Sequence, residues 1–131
     1  MMYILDTNTL IYFFKGVGNV AKNLFSISPA EIGLPAIVLF ELEVGIGKSV
    51  QPDKRKIQLQ QFIDTVNLLP FDRQEAICAA KIRLQLESKG NVIGPYDILI
   101  AATAISANGV LITHNMKEFK RVDGLQVEDW F

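Results

Sequence analysis

Four carboxylates stand where a solvated charge is not expected: Asp6 in YILDTN, Glu41 in VLFELEVG, Asp97 in GPYDILIAATA and Glu118 in LITHNMKEF. An isolated buried carboxylate costs several kcal/mol or neutralises by shifting its pKa. A chain that repeats this liability four times along its length is expected to gather the acids around one shared cation. An all-oxygen donor set suits Mg²⁺ or Mn²⁺, one ion or two.

The elements that must carry these acids are readable from apolar runs and breakers. Met2 to Leu5, Ile32 to Pro35, Val66 to Leu69 and Val110 to Thr113 read as short buried strands, with Leu125 to Val127 as a fifth. Thr7 or Asn8 caps a helix bearing Leu10, Ile11, Phe13 and Phe14. Asn19 opens a second short helix with Val20, Leu24 and Phe25 on one side. Ala36 to Lys48 is helical, and Pro52 starts another helix whose apolar side is Leu59, Phe62 and Ile63. Arg73 to Lys89 reads as an amphipathic helix with Ile77, Ala80 and Leu84 on its apolar face, ended by Gly90. Tyr96 to Ala107 is a further helix, closed by Asn108 and Gly109. Strands alternating with helix pairs predict an α/β fold with a parallel sheet covered on both faces. No linker or repeat interrupts residues 1–131, so one domain is expected.

On this frame the acids fall at element ends. Asp6 follows a strand, and so do Thr113, Asn115 and Glu118; the carboxyl ends of parallel strands line the binding crevice of open α/β sheets. Asp97 lies in the first turn of its helix, where the dipole favours an ionised carboxylate. Glu41 and Glu43 are two residues apart and point in different directions. Glu41, with Ile37, Val38, Val44 and Gly45 at helical spacing, is the one assigned to the cluster. Each acid also has a plain structural reading: Asp6 as a helix cap, Asp97 as a dipole partner, Glu118 paired with Lys117 or Arg121.

The remaining composition narrows the classes. The formal net charge is −1 and half the residues are hydrophobic (50%), so a nucleic-acid partner requires a local basic patch. Lys48, Lys54, Arg55 and Lys56 are the candidates. The one cysteine, Cys78, excludes an internal disulfide and a zinc knuckle and reads as core. No apolar run spans a bilayer and Asp6 interrupts the start, which predicts a soluble cytoplasmic protein. The GIGKS run at Gly45 to Ser49 imitates a phosphate loop. Leu42 stands where the first glycine is needed, and the run closes a helix instead of opening one.

LDTN after a first strand, then FELEVG, GPYDILIAATA and LITHNMKEF followed by GLQVEDW, together resemble the PIN-domain ribonucleases, closest to the VapC toxins of bacterial toxin–antitoxin pairs. The resemblance runs from Met2 to Phe131. It implies a three-layer α/β/α sandwich with a central parallel sheet. It also implies acids at Asp6, Glu41 and Asp97 that hold one or two Mg²⁺ or Mn²⁺ ions, completed by Asn115 and Glu118. Thr7, Asn8 and Thr113 would support them through hydrogen bonds. The implied activity is endonucleolytic cleavage of single-stranded or looped RNA, commonly tRNA or rRNA. The implied partners are a VapB antitoxin lying across the site, a second copy of the chain, and DNA reached through the antitoxin. Two features depart from the family: Asn115 stands where many relatives have aspartate, and Ala36 to Leu39 lacks the hydroxyl often found before the second acid.

Metal-activated water would leave a 3′-hydroxyl and a 5′-phosphate. Attack by the RNA 2′-hydroxyl usually needs a base such as histidine, and the lone His114 reads as a bystander. Two rival functions draw on the same residues. A metal-dependent phosphatase using Asp6 as nucleophile wants a second aspartate where Asn8 stands. A non-catalytic binding module could use apolar surface near Trp130 and Phe131, or Phe13 and Phe14.

Overall fold

The computed structural model describes residues 1–131. Five strands form one wholly parallel sheet: β1 (Tyr3–Leu5), β2 (Ile32–Pro35), β3 (Asn67–Leu69), β4 (Val110–Ile112) and β5 (Gln126–Glu128), in the spatial order β3-β2-β1-β4-β5. The helices are α1 (Thr7–Lys15), α2 (Val20–Phe25), α3 (Ala36–Gly47), α4 (Pro52–Ile63), α5 (Arg73–Ser88), α6 (Pro95–Ser106) and α7 (Met116–Phe119). This is the expected α/β/α sandwich. None of the helices is long and apolar enough to cross a membrane.

The three central strands are apolar because both faces are covered. Ile4, Leu5, Leu34, Leu111 and Ile112 are fully buried, each contributing roughly 1.5–3 kcal/mol of burial. The edge strands β3 and β5 are exposed or half-buried. Gly109 lets β4 begin tight against β1: a Cβ there would stand 2.6 Å from the Met2 carbonyl oxygen.

Strand order reverses at β1. The chain moves from β1 to β2 to β3, then returns to the other side of β1 for β4. The crevice of a doubly wound sheet opens at such a switch point, beyond the carboxyl ends of the strands. Leu5 pairs with Ile112 in register, so the residues that follow, Asp6 and Thr113, emerge side by side at that edge.

Three local expectations are corrected. The cap of α1 is Asp6, not Thr7 or Asn8: its carboxylate accepts a hydrogen bond from the Thr9 amide, and Thr7 is already helical. The inward face of α5 is Glu75, Ala79, Ile82 and Leu86, while Ile77 and Leu84 are 50% and 67% exposed. Both stripes keep helical spacing, and packing against α6 selects one of them. Phe25, expected on the buried side of α2, is 78% exposed, although Val20 and Leu24 beside it are buried. Trp130 is core, and Phe13 and Phe14 are half-buried in an aromatic group with Phe62. The GIGKS run closes α3, with Lys48 as its C-cap.

Candidate active site

Asp6 is the most confined of the acids, with only 5% of its surface exposed. One carboxylate oxygen accepts from the Thr9 amide at 2.9 Å. The Asp6 amide donates to the Ile112 carbonyl at 3.1 Å, which ties the residue to the end of β4. Capping and membership of an acidic cluster are therefore both true of this side chain. Burial pushes its carboxyl above the ordinary value. The Thr113 and Thr9 hydroxyls and the Thr9 amide pull it down, and Glu41 adds a further push upward.

Asp97 is half-buried in the first turn of α6, a helix otherwise apolar over Ile98, Ile100, Ala101, Ala102 and Ala104. The packing of that helix fixes where the carboxylate stands. Burial is the largest influence and raises its carboxyl from 3.8 to about 6, with Asp6, Glu118 and Glu41 each adding to the rise. The other three acids picked out in the sequence thus all sit within electrostatic reach of Asp97, although up to 112 positions separate the four along the chain (Asp6 to Glu118). No cationic side chain acts on Asp6 or Asp97.

The outer two acids are held by neutral donors. The Thr7 hydroxyl donates to Glu41 at 2.7 Å. The Asn115 amide group donates to Glu118 at 2.9 Å. Asn115 begins α7 without a side-chain cap bond, so its side chain serves the acid instead of the helix. Thr113 is fully buried, and its hydroxyl accepts from the Asn115 amide nitrogen at 3.0 Å. Glu43 lies elsewhere, paired with Lys56.

No three ligating side chains stand at the spacing that gripping one ion requires. Glu41, Asp6 and Glu118 are held instead by the Thr7 hydroxyl, the Thr9 amide and the Asn115 side chain. The donor set nonetheless fits a hard divalent cation: four carboxylates, one free amide oxygen, and no thiolate or imidazole.

Among the other expected residues, Asn8 is exposed and bonded to none of the acids. Arg55 lines a cavity of about 360 Å³ between α1, α3 and α4 together with Lys15 and Glu41. Lys48 and Lys54 are exposed, and Lys56 is engaged by Glu43. Of the four basic residues, only Arg55 shares a cavity with one of the clustered acids. Thr9 and Lys15 were not singled out in the sequence. Thr9 was findable, because it stands three residues after a capping aspartate, where the accepted amide must lie.

The raised Asp97 carboxyl has a measurable consequence. The folded chain binds this proton more tightly than the unfolded chain, so the stabilisation is complete below about pH 4 and is lost as pH rises through about 6. Asp97 is partly exposed, so solvent screening reduces the effect to the order of 1 kcal/mol. Without divalent cations, the stability of the wild type minus that of Asp97→Asn should fall between pH 4 and 7 in urea titrations. A difference that stays flat or rises would contradict the charge environment described.

A PIN-domain family model matches residues 3–125. The tRNA(fMet)-specific endonuclease VapC of Salmonella typhimurium is 35% identical over 130 residues, covering 99% of this chain and 98% of that protein. The solved structure of DNA-bound VapBC from Salmonella typhimurium superposes with a TM-score of 0.93 at 35% identity, covering 100% of this chain and 99% of that one. VapBC2 from Rickettsia felis, bound to a DNA fragment from its promoter, superposes with a TM-score of 0.92 at 34% identity over the whole of both chains. With its parallel sheet, its acids at the switch point and these full-length likenesses, the chain belongs to the PIN-domain family and, within it, to the VapC ribonucleases.

Proposed function

We propose that residues 1–131 act as one nuclease domain, a divalent-metal-dependent endoribonuclease that is the toxin of a VapBC-type pair. The observation that carries the metal dependence is the convergence of Asp6, Glu41 and Glu118 on Asp97, with Asp6 and Asp97 both pushed up by burial and by neighbouring acids. Asp6, Glu41, Asp97 and Glu118 would hold Mg²⁺ or Mn²⁺, with the Asn115 amide oxygen as a neutral donor. A divalent cation bound there supplies charge to offset the phosphate and acidifies water.

The chain's own groups do the positioning. Thr7 orients Glu41, the Thr9 amide and the Thr113 hydroxyl orient Asp6, and Asn115 steadies Glu118. With no cation present, Asp97 holds a proton up to about pH 6. Hydrolysis breaks the bond between phosphorus and the 3′-oxygen, which leaves as a hydroxyl, and water's oxygen remains on the 5′-phosphate.

The substrate class is structured or looped RNA, with tRNA favoured by the tRNA(fMet) specificity of the Salmonella typhimurium relative. The partners are a VapB-type antitoxin and, through it, DNA, a reading supported by the VapBC complexes among the structural neighbours. A homodimer is supported by the exposed Ile77 and Leu84 on α5.

The purified chain, free of partner, should cut total RNA with Mg²⁺ or Mn²⁺ and leave 5′-phosphate ends. Cutting should stop with EDTA and return when metal is restored. Full cleavage in chelator would remove the metal from the reaction. Hydrolysis of a phosphomonoester with RNA left intact would favour the phosphatase.

A further inference from the structure

Beside the acids lies an aromatic cluster that the metal chemistry does not use. His114 follows the buried Thr113 just past β4, whose partner strand β1 leads into Asp6, and precedes Asn115. Its imidazole lies on the Phe131 ring, with centroids 4.2 Å apart and planes 24° from parallel. Tyr12 sets its edge against Phe131 at 5.0 Å and against His114 at 6.0 Å.

The stack is fixed from several sides. Asp129 takes His114 Nδ1 at 2.9 Å with one oxygen and the Phe131 amide at 2.8 Å with the other. The Phe131 carbonyl accepts from the Asn19 amide at 2.6 Å. Gly18, at φ +66°, leaves the room that Phe131 occupies, since a Cβ there would stand 2.9 Å from its ring. The rings are nonetheless open to solvent: the His114 side chain is 46% exposed and Phe131 is 38% exposed. A carboxylate only accepts, so Nδ1 carries the proton in this contact, and Nε2 has no partner in the chain.

We propose that the His114–Phe131 stack, braced by Tyr12 and Asp129, is a subsite for one unpaired nucleobase of the RNA flanking the cleaved phosphate. The inference rests on the ribonuclease reading and adds to it where a base is held. Lys15 and Arg55 line the cavity beside Glu41, whereas at His114, next to Asn115, the exposed groups are rings, so grip on this side comes from uncharged contact. Aromatic stacking supplies it for any base, because every base has a π-face. A platform already held flat by Asp129 loses little conformational freedom on binding. The free Nε2 lies at the rim of the stack, where it can bond a base edge.

The test uses the full chain and an RNA hairpin that the wild type cuts, together with copies lacking one loop base each. His114→Ala and Phe131→Ala should raise KM about 5- to 150-fold, the range for loss of one base–aromatic stack, with a much smaller change in kcat. His114→Phe should stay within about threefold of wild type, because it keeps the stack. One abasic position should impose a comparable penalty on the wild type and almost none on His114→Ala. Should His114→Ala unfold, His114→Leu against His114→Phe gives the same comparison at nearly constant bulk. Abasic penalties equal in wild type and variant at every position would overturn the proposal and leave the cluster as a clasp for the C-terminus. Loss of a protein partner with those penalties still equal would overturn it in favour of a protein interface. A wild type that neither cuts nor binds RNA would fail a step earlier and remove the ribonuclease reading as well.

Discussion

Asp97→Asn is expected to lower RNA cleavage at saturating Mg²⁺ by about 10²–10³-fold, a loss of several kcal/mol of transition-state stabilisation. The substitution keeps the size and shape of the side chain. It removes one charge from a cluster in which Asp6, Glu118 and Glu41 all press on Asp97. The same change relieves repulsion when no cation is present, so the metal-free variant should be more stable than wild type at pH 7. Activity and stability then move in opposite directions, which separates this outcome from a folding defect. Single-turnover cleavage and urea unfolding of both proteins measure the two effects. Cleavage within about fivefold of wild type would remove Asp97 from the catalytic set.

Phe119→Ala is expected to cost about 3–5 kcal/mol of folding stability. Phe119 is 1% exposed and is among the largest fully buried side chains in the chain. It ends α7, a helix of four residues that cannot persist on its own. Its ring and Val122, buried just beyond, are the apolar anchors of the segment that presents Asn115 and Glu118. The variant should therefore lose Mg²⁺ affinity along with stability, measured by calorimetric titration at a temperature where it remains folded. Phe25→Ala is the matched control. At 78% exposure its change should stay within about 0.5 kcal/mol. A loss at Phe119 no larger than that at Phe25 would mean α7 is held by something other than its ring.

Much of the site was legible because its residues violate local expectation. Asp6 ends an apolar strand, and Asp97 opens a helix of isoleucines and alanines; neither position suits a solvated charge. The strands were legible as short apolar runs because a parallel sheet covered on both faces requires them. What stayed hidden was rotational phase and long-range placement. Helix α5 carries two apolar stripes at the same spacing, and nothing local distinguishes Ile77 and Leu84 from Ile82 and Leu86. Glu118 is readable as an acid after a strand, but its nearness to Asp97 depends on the return of the chain to β4. The union of Asp129 and Phe131 with His114 depends on where β5 ends, which periodicity does not encode.

The position of β1 in the middle of the sheet has a consequence for synthesis. Its neighbours are made at very different times: β2 follows within about thirty residues, whereas β4 begins only at Val110. Until Ile112 has been translated Asp6 has no β4 beside it, and until Glu118 has been translated the acidic group lacks a member. The acids that lie far apart along the chain can therefore meet only after its C-terminal strands have been made.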